Sequence, residues 1–268
     1  MSVIDIERSI VKKYRKDIWR LFVKGVNEYH LIDENDNILV CISGGKDSFL
    51  LAKCLEELKR HGKYHFNLKF MVMNPGYKEE ILDLIKENAK KLGVDITIYD
   101  SDIFAVSSKL NSERPCYMCA RMRRGFLYNK AKELGCNKIA LGHHFDDVIE
   151  TTLMSLFYNG EFKTMMPRLS SMNFEGIDLI RPLYLVREES VKSWARYNDL
   201  KFINCACSFT EKGEVGKRSE VKAFIKRYTE LNPSLASNIF KSLEKVNLET
   251  IISYKDGEEI KSVLDKYE

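Results

Sequence analysis

No apolar run in this 268-residue chain approaches the twenty or so residues that a membrane-spanning helix needs. The opening residues, Met1-Ser2-Val3-Ile4-Asp5-Ile6-Glu7-Arg8, lack the basic-then-apolar form of a signal peptide, so a cytoplasmic location with no membrane partner is expected. Cysteines number seven. An odd count without a secretion signal argues against a disulfide framework. Net charge is only +4, so the molecule is no polycation, and any nucleic-acid contact must come from local clusters. Internal repeats and low-complexity linkers are absent too. What remains is an ordinary globular composition, 44% hydrophobic and 31% charged, long enough for one large α/β domain with appendages.

The most informative stretch is Cys41-Ile42-Ser43-Gly44-Gly45-Lys46-Asp47-Ser48. The apolar run Ile38–Ile42 leads in, and Phe49, Leu50, Leu51, Cys54, Leu55 and Leu58 follow at helical spacing. Strand, glycine-rich turn and helix thus succeed one another. A helix N-terminus offers free amides and partial positive charge, and paired glycines let backbone close on a bulky anion. Ser43 and Ser48 add hydroxyls and Lys46 a cation, which suits a phosphate or pyrophosphate. The spacing is neither G-x-x-x-x-G-K-[ST] nor G-x-G-x-x-G. S-G-G-x-D-S resembles the loop of the PP-loop ATP pyrophosphatases, which split ATP between its α- and β-phosphates and adenylate an oxygen.

Residues 3–30 read as one amphipathic helix with a basic outer face, either simply solvated or facing nucleic-acid phosphate. Further strands are expected at 67–74, 96–99, 138–142 and 179–183, and helices at 77–92, 119–134, 146–158, 186–197 and, with a basic face, 217–250. Such alternation predicts an α/β fold, a Rossmann-like parallel sheet flanked by helices, with helical N- and C-terminal extensions. The expected division is 1–30 for the N-terminal helix, 31–210 for the nucleotide domain and 211–268 for the C-terminal helices. Ligands bind at the C-terminal ends of parallel strands, so the glycine loop, Met73-Asn74 and Gly142-His143-His144 should share one site.

In Gly142-His143-His144-Phe145-Asp146-Asp147 the aspartates suit the first turn of a helix, or a magnesium ion on ATP phosphates. A histidine-based zinc site is the alternative, though the neighbouring loop calls for a nucleotide here. Cys41, Cys54 and Cys136 read as buried, inert thiols. Cys116-Tyr117-Met118-Cys119 opens a helix, where thiolates form readily, and Arg121, Arg123 and Arg124 follow. With Cys205-Ala206-Cys207 these thiols fit a Cys₄ zinc, or three of them a [4Fe–4S] cluster with one iron open to a substrate atom.

The run Asn27–Ser48, the Pro115-Cys116-x-x-Cys119 segment with Arg123-Arg124-Gly125, and Leu141-Gly142-His143-His144-x-Asp146-Asp147 resemble the tRNA 2-thiocytidine synthetase family, as does the tail 228–246. The resemblance implies thiolation of a tRNA base at position 2: ATP adenylates the base oxygen and sulfur then displaces AMP. It implies ATP, Mg²⁺ and a [4Fe–4S] cluster as cofactors. The partners are tRNA and a sulfur donor, a cysteine desulfurase or sulfide, and a homodimer is allowed. Carried over by position, Ser43, Gly44, Gly45, Lys46, Asp47, Ser48, Met73, Gly142 and Asp146 match ATP contacts, with Asp47 also catalytic. Cys116 and Cys119 match cluster ligands and catalytic positions, Cys205 the third, with Cys207 as the alternative. Arg121, Arg123 and Arg124 are the tRNA contacts. The family's second P-C-x-x-C is replaced here by Asn204-Cys205-Ala206-Cys207. That departure keeps open a PP-loop ligase or amidotransferase, or a 2-thiouridine thiolase, with structural zinc.

Overall fold

The computed structural model describes residues 2–110, 115–203 and 216–267. They form two compact units, Met1–Val148 with Met165–Val215, and Ile149–Thr164 with Gly216–Glu268.

The first unit begins with α1 (Val3–Val11), a π-helical turn (Arg15–Trp19) and α2 (Arg20–Glu28). One continuous helix over 3–30 was expected, and the π turn corrects that. The reason is in the spacing. Ile6, Ile10, Tyr14, Ile18, Phe22 and Val26 recur every four residues, and all six are buried. Each four-residue step overshoots a 3.6-residue turn by about 40°, so five steps would swing the stripe roughly 200° off the core. The π turn, closed by the Tyr14 and Trp19 amides on the Ser9 and Tyr14 carbonyls, resets the phase.

The alternating part follows: β1 (Asn37–Ile42), α3 (Lys46–His61), β2 (Asn67–Asn74), α4 (Glu79–Leu92), β3 (Ile96–Asp100), α5 (Ile103–Leu110), α6 (Pro115–Glu133), β4 (Lys138–Ala140), α7 (Phe145–Asn159), β5 (Arg168–Ser170), β6 (Asp178–Ile180) and α8 (Glu188–Tyr197). The described strands make a six-stranded sheet of order β3-β2-β1-β4-β6-β5. All pairs are parallel except β5–β6, an antiparallel edge too short to read from the sequence. Successive residues of β1 bury on opposite faces: Ile38, Val40 and Ile42 join a core with α1–α4 and α8, and Leu39 joins a second core with α5 and α6. From β1 the chain moves to β2 on one side, and later to β4 on the other. The crevice at this reversal, at the C-terminal ends of β1 and β4, is where such sheets take ligands.

Ion pairs, one of them on a buried lysine, tie α1 to α3. Lys53, 1% exposed, contacts Glu7 at 2.7 Å and Glu56 at 2.6 Å, and Arg60 pairs with Glu7 at 2.8 Å. The Arg60 hydrogen bond, opposed by burial and helped by Lys53, lowers the Glu7 pKa to about 2. A carboxylate with a depressed pKa stabilises the fold above its ordinary value and loses that contribution as pH falls through the folded one. Glu7→Gln should therefore cost about 2 kcal/mol at pH 7, after allowing for solvent screening of the exposed Arg60. The gap from wild type should close between the ordinary pKa of 4.5 and about 2. Urea titrations at several pH values measure this, and a gap that stays constant with pH would refute it.

The second unit contains the part of α7 from Ile149 onward, α9 (Lys217–Leu231), α10 (Leu235–Glu244) and a hairpin of β7 (Ser253–Asp256) and β8 (Glu259–Ser262). Buried Glu150 accepts Arg218 Nε at 2.9 Å, and Phe157 meets Phe224 edge-on. The helix expected over 217–250 is corrected to two helices and a 3₁₀ turn. Pro233 has no N–H and pushes Asn232 into extended backbone, φ −134° and ψ 95°. The hairpin likewise corrects a wholly helical C-terminal extension. Its two-residue turn starts at Gly257, whose φ of +63° suits glycine.

Candidate active site

β1 delivers Ser43–Gly45 onto the N-terminus of α3, as the strand–turn–helix pattern predicts. Gly44 takes φ +85°, a conformation few side chains tolerate. Gly45 is the N-cap and supplies no side-chain acceptor, so amides of the first turn are left for an anion. Buried Ser48 fastens the loop from within. Its hydroxyl donates to the Gly45 carbonyl at 2.9 Å and accepts the Ser43 amide at 3.2 Å. Lys46 Nζ lies 3.1 Å from Asp47 Oδ2 and 3.3 Å from Glu188 Oε1. Burial works against its charge, but the two carboxylates more than offset this and hold its pKa above the ordinary lysine value. Asp47 Oδ1 is buried, and among the described residues it has no hydrogen-bond partner.

The end of β4 approaches this loop closely. A Cβ on Gly142 would stand 3.0 Å from both the Asp47 carbonyl carbon and the Ser48 nitrogen. That contact is backbone, which no rotamer change can relieve. Gly142→Ala should therefore destabilise the fold by about 1–3 kcal/mol and weaken ATP binding at least ~10-fold. Calorimetric titration with ATP measures this, and wild-type affinity would show that the contact does not shape the site.

His144, almost fully buried, accepts the Asp147 amide on Nδ1 at 3.3 Å and places Nε2 3.8 Å from Asp47 Oδ1. Asp146 is held by other groups. Its Oδ1 meets Arg187 at 3.2 Å and its Oδ2 accepts the Glu188 amide at 2.6 Å. Arg187 and Glu188, at the start of α8, were missed from the sequence. They bind the β4 end and the loop lysine to one helix. Met73 lies at the end of β2, buried in the second core.

Cys116 is in the first turn of α6, and Cys119, one turn on, is half-buried against the second core. Cys41, at the end of β1, packs on the same second core as Cys119 and Met122 of α6. Burial raises the Cys41 pKa to about 12 and raises those of Cys54 and Cys136, as expected of inert thiols. Arg121 and Arg124 are exposed. Cys205 and Cys207 lie outside the described residues. The chain just before them is described: Phe202 stacks on Phe49 at 5.7 Å and on Trp194. Ile203 Cδ1 lies 2.7 Å from where a Gly44 Cβ would be, so this segment packs directly on the glycine loop.

A loop of this form at the reversal of a parallel α/β sheet defines a PP-loop ATP-binding protein, and the family model described as a PP-loop domain matches residues 12–209. The relatives are more particular. A tRNA-cytidine(32) 2-sulfurtransferase of Ralstonia pickettii is 36% identical over 83% of this chain and 70% of its own length. One from Aeromonas hydrophila is 33% identical over 93% and 82%. Among solved structures, the U34-tRNA thiolase NcsA from Methanococcus maripaludis with its [4Fe-4S] cluster shares the fold, with TM-score 0.68 and 23% identity over 87% of this chain and 78% of that one. The chain belongs to the PP-loop family and, within it, to the tRNA-cytidine(32) 2-sulfurtransferases.

Proposed function

We propose that this protein is an ATP-dependent tRNA sulfurtransferase that adenylates the C2 oxygen of a cytidine and replaces it with sulfur. The observation that carries this reading is the convergence on one glycine loop of Gly142 and of the segment that leads to Cys205. The exocyclic oxygen of a pyrimidine is a poor leaving group, and adenylation makes it a good one. The open amides of α3 bind phosphates. Lys46, held between Asp47 and Glu188, can swing to the phosphate chain, and Arg123 offsets charge that develops during transfer.

The orphaned Asp47 Oδ1 is an oxygen donor that fits Mg²⁺ on ATP phosphates, whereas both Asp146 oxygens are already engaged. Mg²⁺ would neutralise phosphate charge. Cys116 and Cys119, one helical turn apart, would supply two thiolates for a [4Fe–4S] cluster, with Cys205, or else Cys207, as the third. The cluster would supply iron chemistry for sulfur delivery. Among the described residues no three His, Cys, Asp or Glu side chains already form a metal cage. A loop nucleotide is the expected target, since the C2 edge must be reached out of the stack. Arg121, Arg123 and Arg124 would contact its backbone. Sulfide or a cysteine desulfurase would supply the sulfur in the cytoplasm, a homodimer is allowed, and residues 31–210 would carry the chemistry between an N-terminal helical extension, 1–30, and a C-terminal extension, 211–268, that ends in the hairpin. Among the described residues no helix is long and apolar enough to cross a membrane.

Nucleoside mass spectrometry of tRNA from a deletion strain tests the proposal. Loss of 2-thiocytidine, restored by the wild-type gene, is the expected result. Unchanged thiolation would overturn it.

A further inference from the structure

Arg181 has no place in the chemistry described so far. It follows β6 directly. Ala140 pairs with Ile180, so Arg181 stands level with Leu141, at the ligand-binding edge of the sheet. It is 9% exposed. One guanidinium nitrogen donates to the Met166 carbonyl, and among the described residues the buried Nε has no hydrogen-bond partner. The Arg181 amide bonds the Pro167 carbonyl, and neighbouring Tyr184 bonds the Met165 carbonyl at 2.7 Å. Among the described residues Arg181 has no ion pair. The charged and titratable groups that act on it are Tyr184, Tyr128, Arg124 and Asp147. Burial brings its pKa down to about 10, the tyrosines and Asp147 oppose this, and Arg124 adds to it.

A buried arginine with a donor unused, and no ion pair among the described residues, is costly unless an anion completes it. Arg124 is exposed and lies one helical turn before Tyr128, which is buried in the second core, and Leu179, two residues before Arg181, joins that same core. Both arginines lie on the α6 face of the sheet, with Tyr128 of the second core, whereas α3 packs in the first core on the opposite face. The phosphate they suit is therefore one arriving along α6 rather than one held in the loop at α3.

Resting on the tRNA sulfurtransferase reading, we propose that Arg181 and Arg124 together clamp one backbone phosphate of the bound tRNA beside the target nucleotide. A planar guanidinium can hold phosphate oxygens through two N–H groups, which fixes the strand as well as attracting it. Arg124 makes the first encounter and Arg181 locks the phosphate at the sheet edge.

The test is tRNA binding by fluorescence anisotropy across a range of salt concentrations, with ATP binding and thermal melting in parallel. Arg181→Gln should lower the slope of log affinity against log salt by about 0.7–0.9, one phosphate's worth. ATP affinity should stay at the wild-type value, and Arg181→Lys should restore most of the slope. Arg124→Gln, at an exposed position where folding is not at risk, should lower the slope by the same amount. An unchanged slope in either glutamine variant overturns the clamp, and so does a loss confined to ATP affinity, which would assign the phosphate to the nucleotide. Wild-type protein that binds no tRNA would overturn the underlying reading as well. Wild-type binding with unaltered variants overturns the clamp alone.

Discussion

Asp47→Ala is expected to abolish pyrophosphate release in the presence of tRNA, with a loss of at least ~10³-fold, while iron content and thermal stability stay near wild type. The size follows from geometry. Asp47 is where α3 meets the end of β4: Lys46 of its own helix lies at 3.1 Å, His144 from the β4 end at 3.8 Å, and Gly142 faces its backbone. Its Oδ1 is buried and orphaned, an arrangement that costs stability unless a ligand uses it. Removing one preorganised electrostatic group from such a site costs about 10²–10³ in rate. Here Lys46 would also close on Glu188 alone, which adds to the loss. Asp47→Asn separates shape from charge: it should keep nucleotide binding and still fail in adenylation. A pyrophosphate assay decides. Substantial turnover by the alanine variant would remove Asp47 from the reaction.

Cys116→Ala should give the second large effect. It should lose iron and visible colour and stop thiolating tRNA, yet bind ATP like wild type. Changing a group that merely supports a metal ligand costs 10–100-fold, so losing a ligand should reduce thiolation by at least ~10²-fold. ATP binding survives because the loop is built by β1, α3 and Gly142, none of which depends on Cys116. Cys205→Ala and Cys207→Ala, made separately, should differ, with only one matching Cys116→Ala. Iron and sulfide analysis after anaerobic purification, with nucleoside analysis of the treated tRNA, reads all three variants. A Cys116→Ala protein that still thiolates would exclude the cluster mechanism, and a colourless wild type holding a single zinc would do so as well.

The parts of this protein that the sequence determined are those fixed by neighbours along the chain. Strand–loop–helix around Ser43–Ser48 is local: an apolar run, two adjacent glycines and a helical stripe leave little choice. Alternation of strands and helices then dictates parallel pairing, and with it the edge where Gly142 and the loop must meet. The four-residue spacing from Ile6 to Val26 is local too, but it predicts one continuous helix, and only the fold revealed the π turn that keeps all six residues buried.

Tertiary structure alone decided which charges share a space. Glu188 is far from Lys46 in sequence and 3.3 Å away in the fold, and Asp146 is occupied by Arg187 and the Glu188 amide rather than left open. Ile203 rests on the glycine loop, which no periodicity could predict. Arg181 looks in sequence like the end of a strand. Its meaning comes from burial at the edge of the sheet with one donor unused among the described residues. Periodicity reports which face of an element is apolar. Which polar group finds which partner depends on how elements from distant parts of the chain dock, because a buried charge is stabilised or left costly by its neighbours in space.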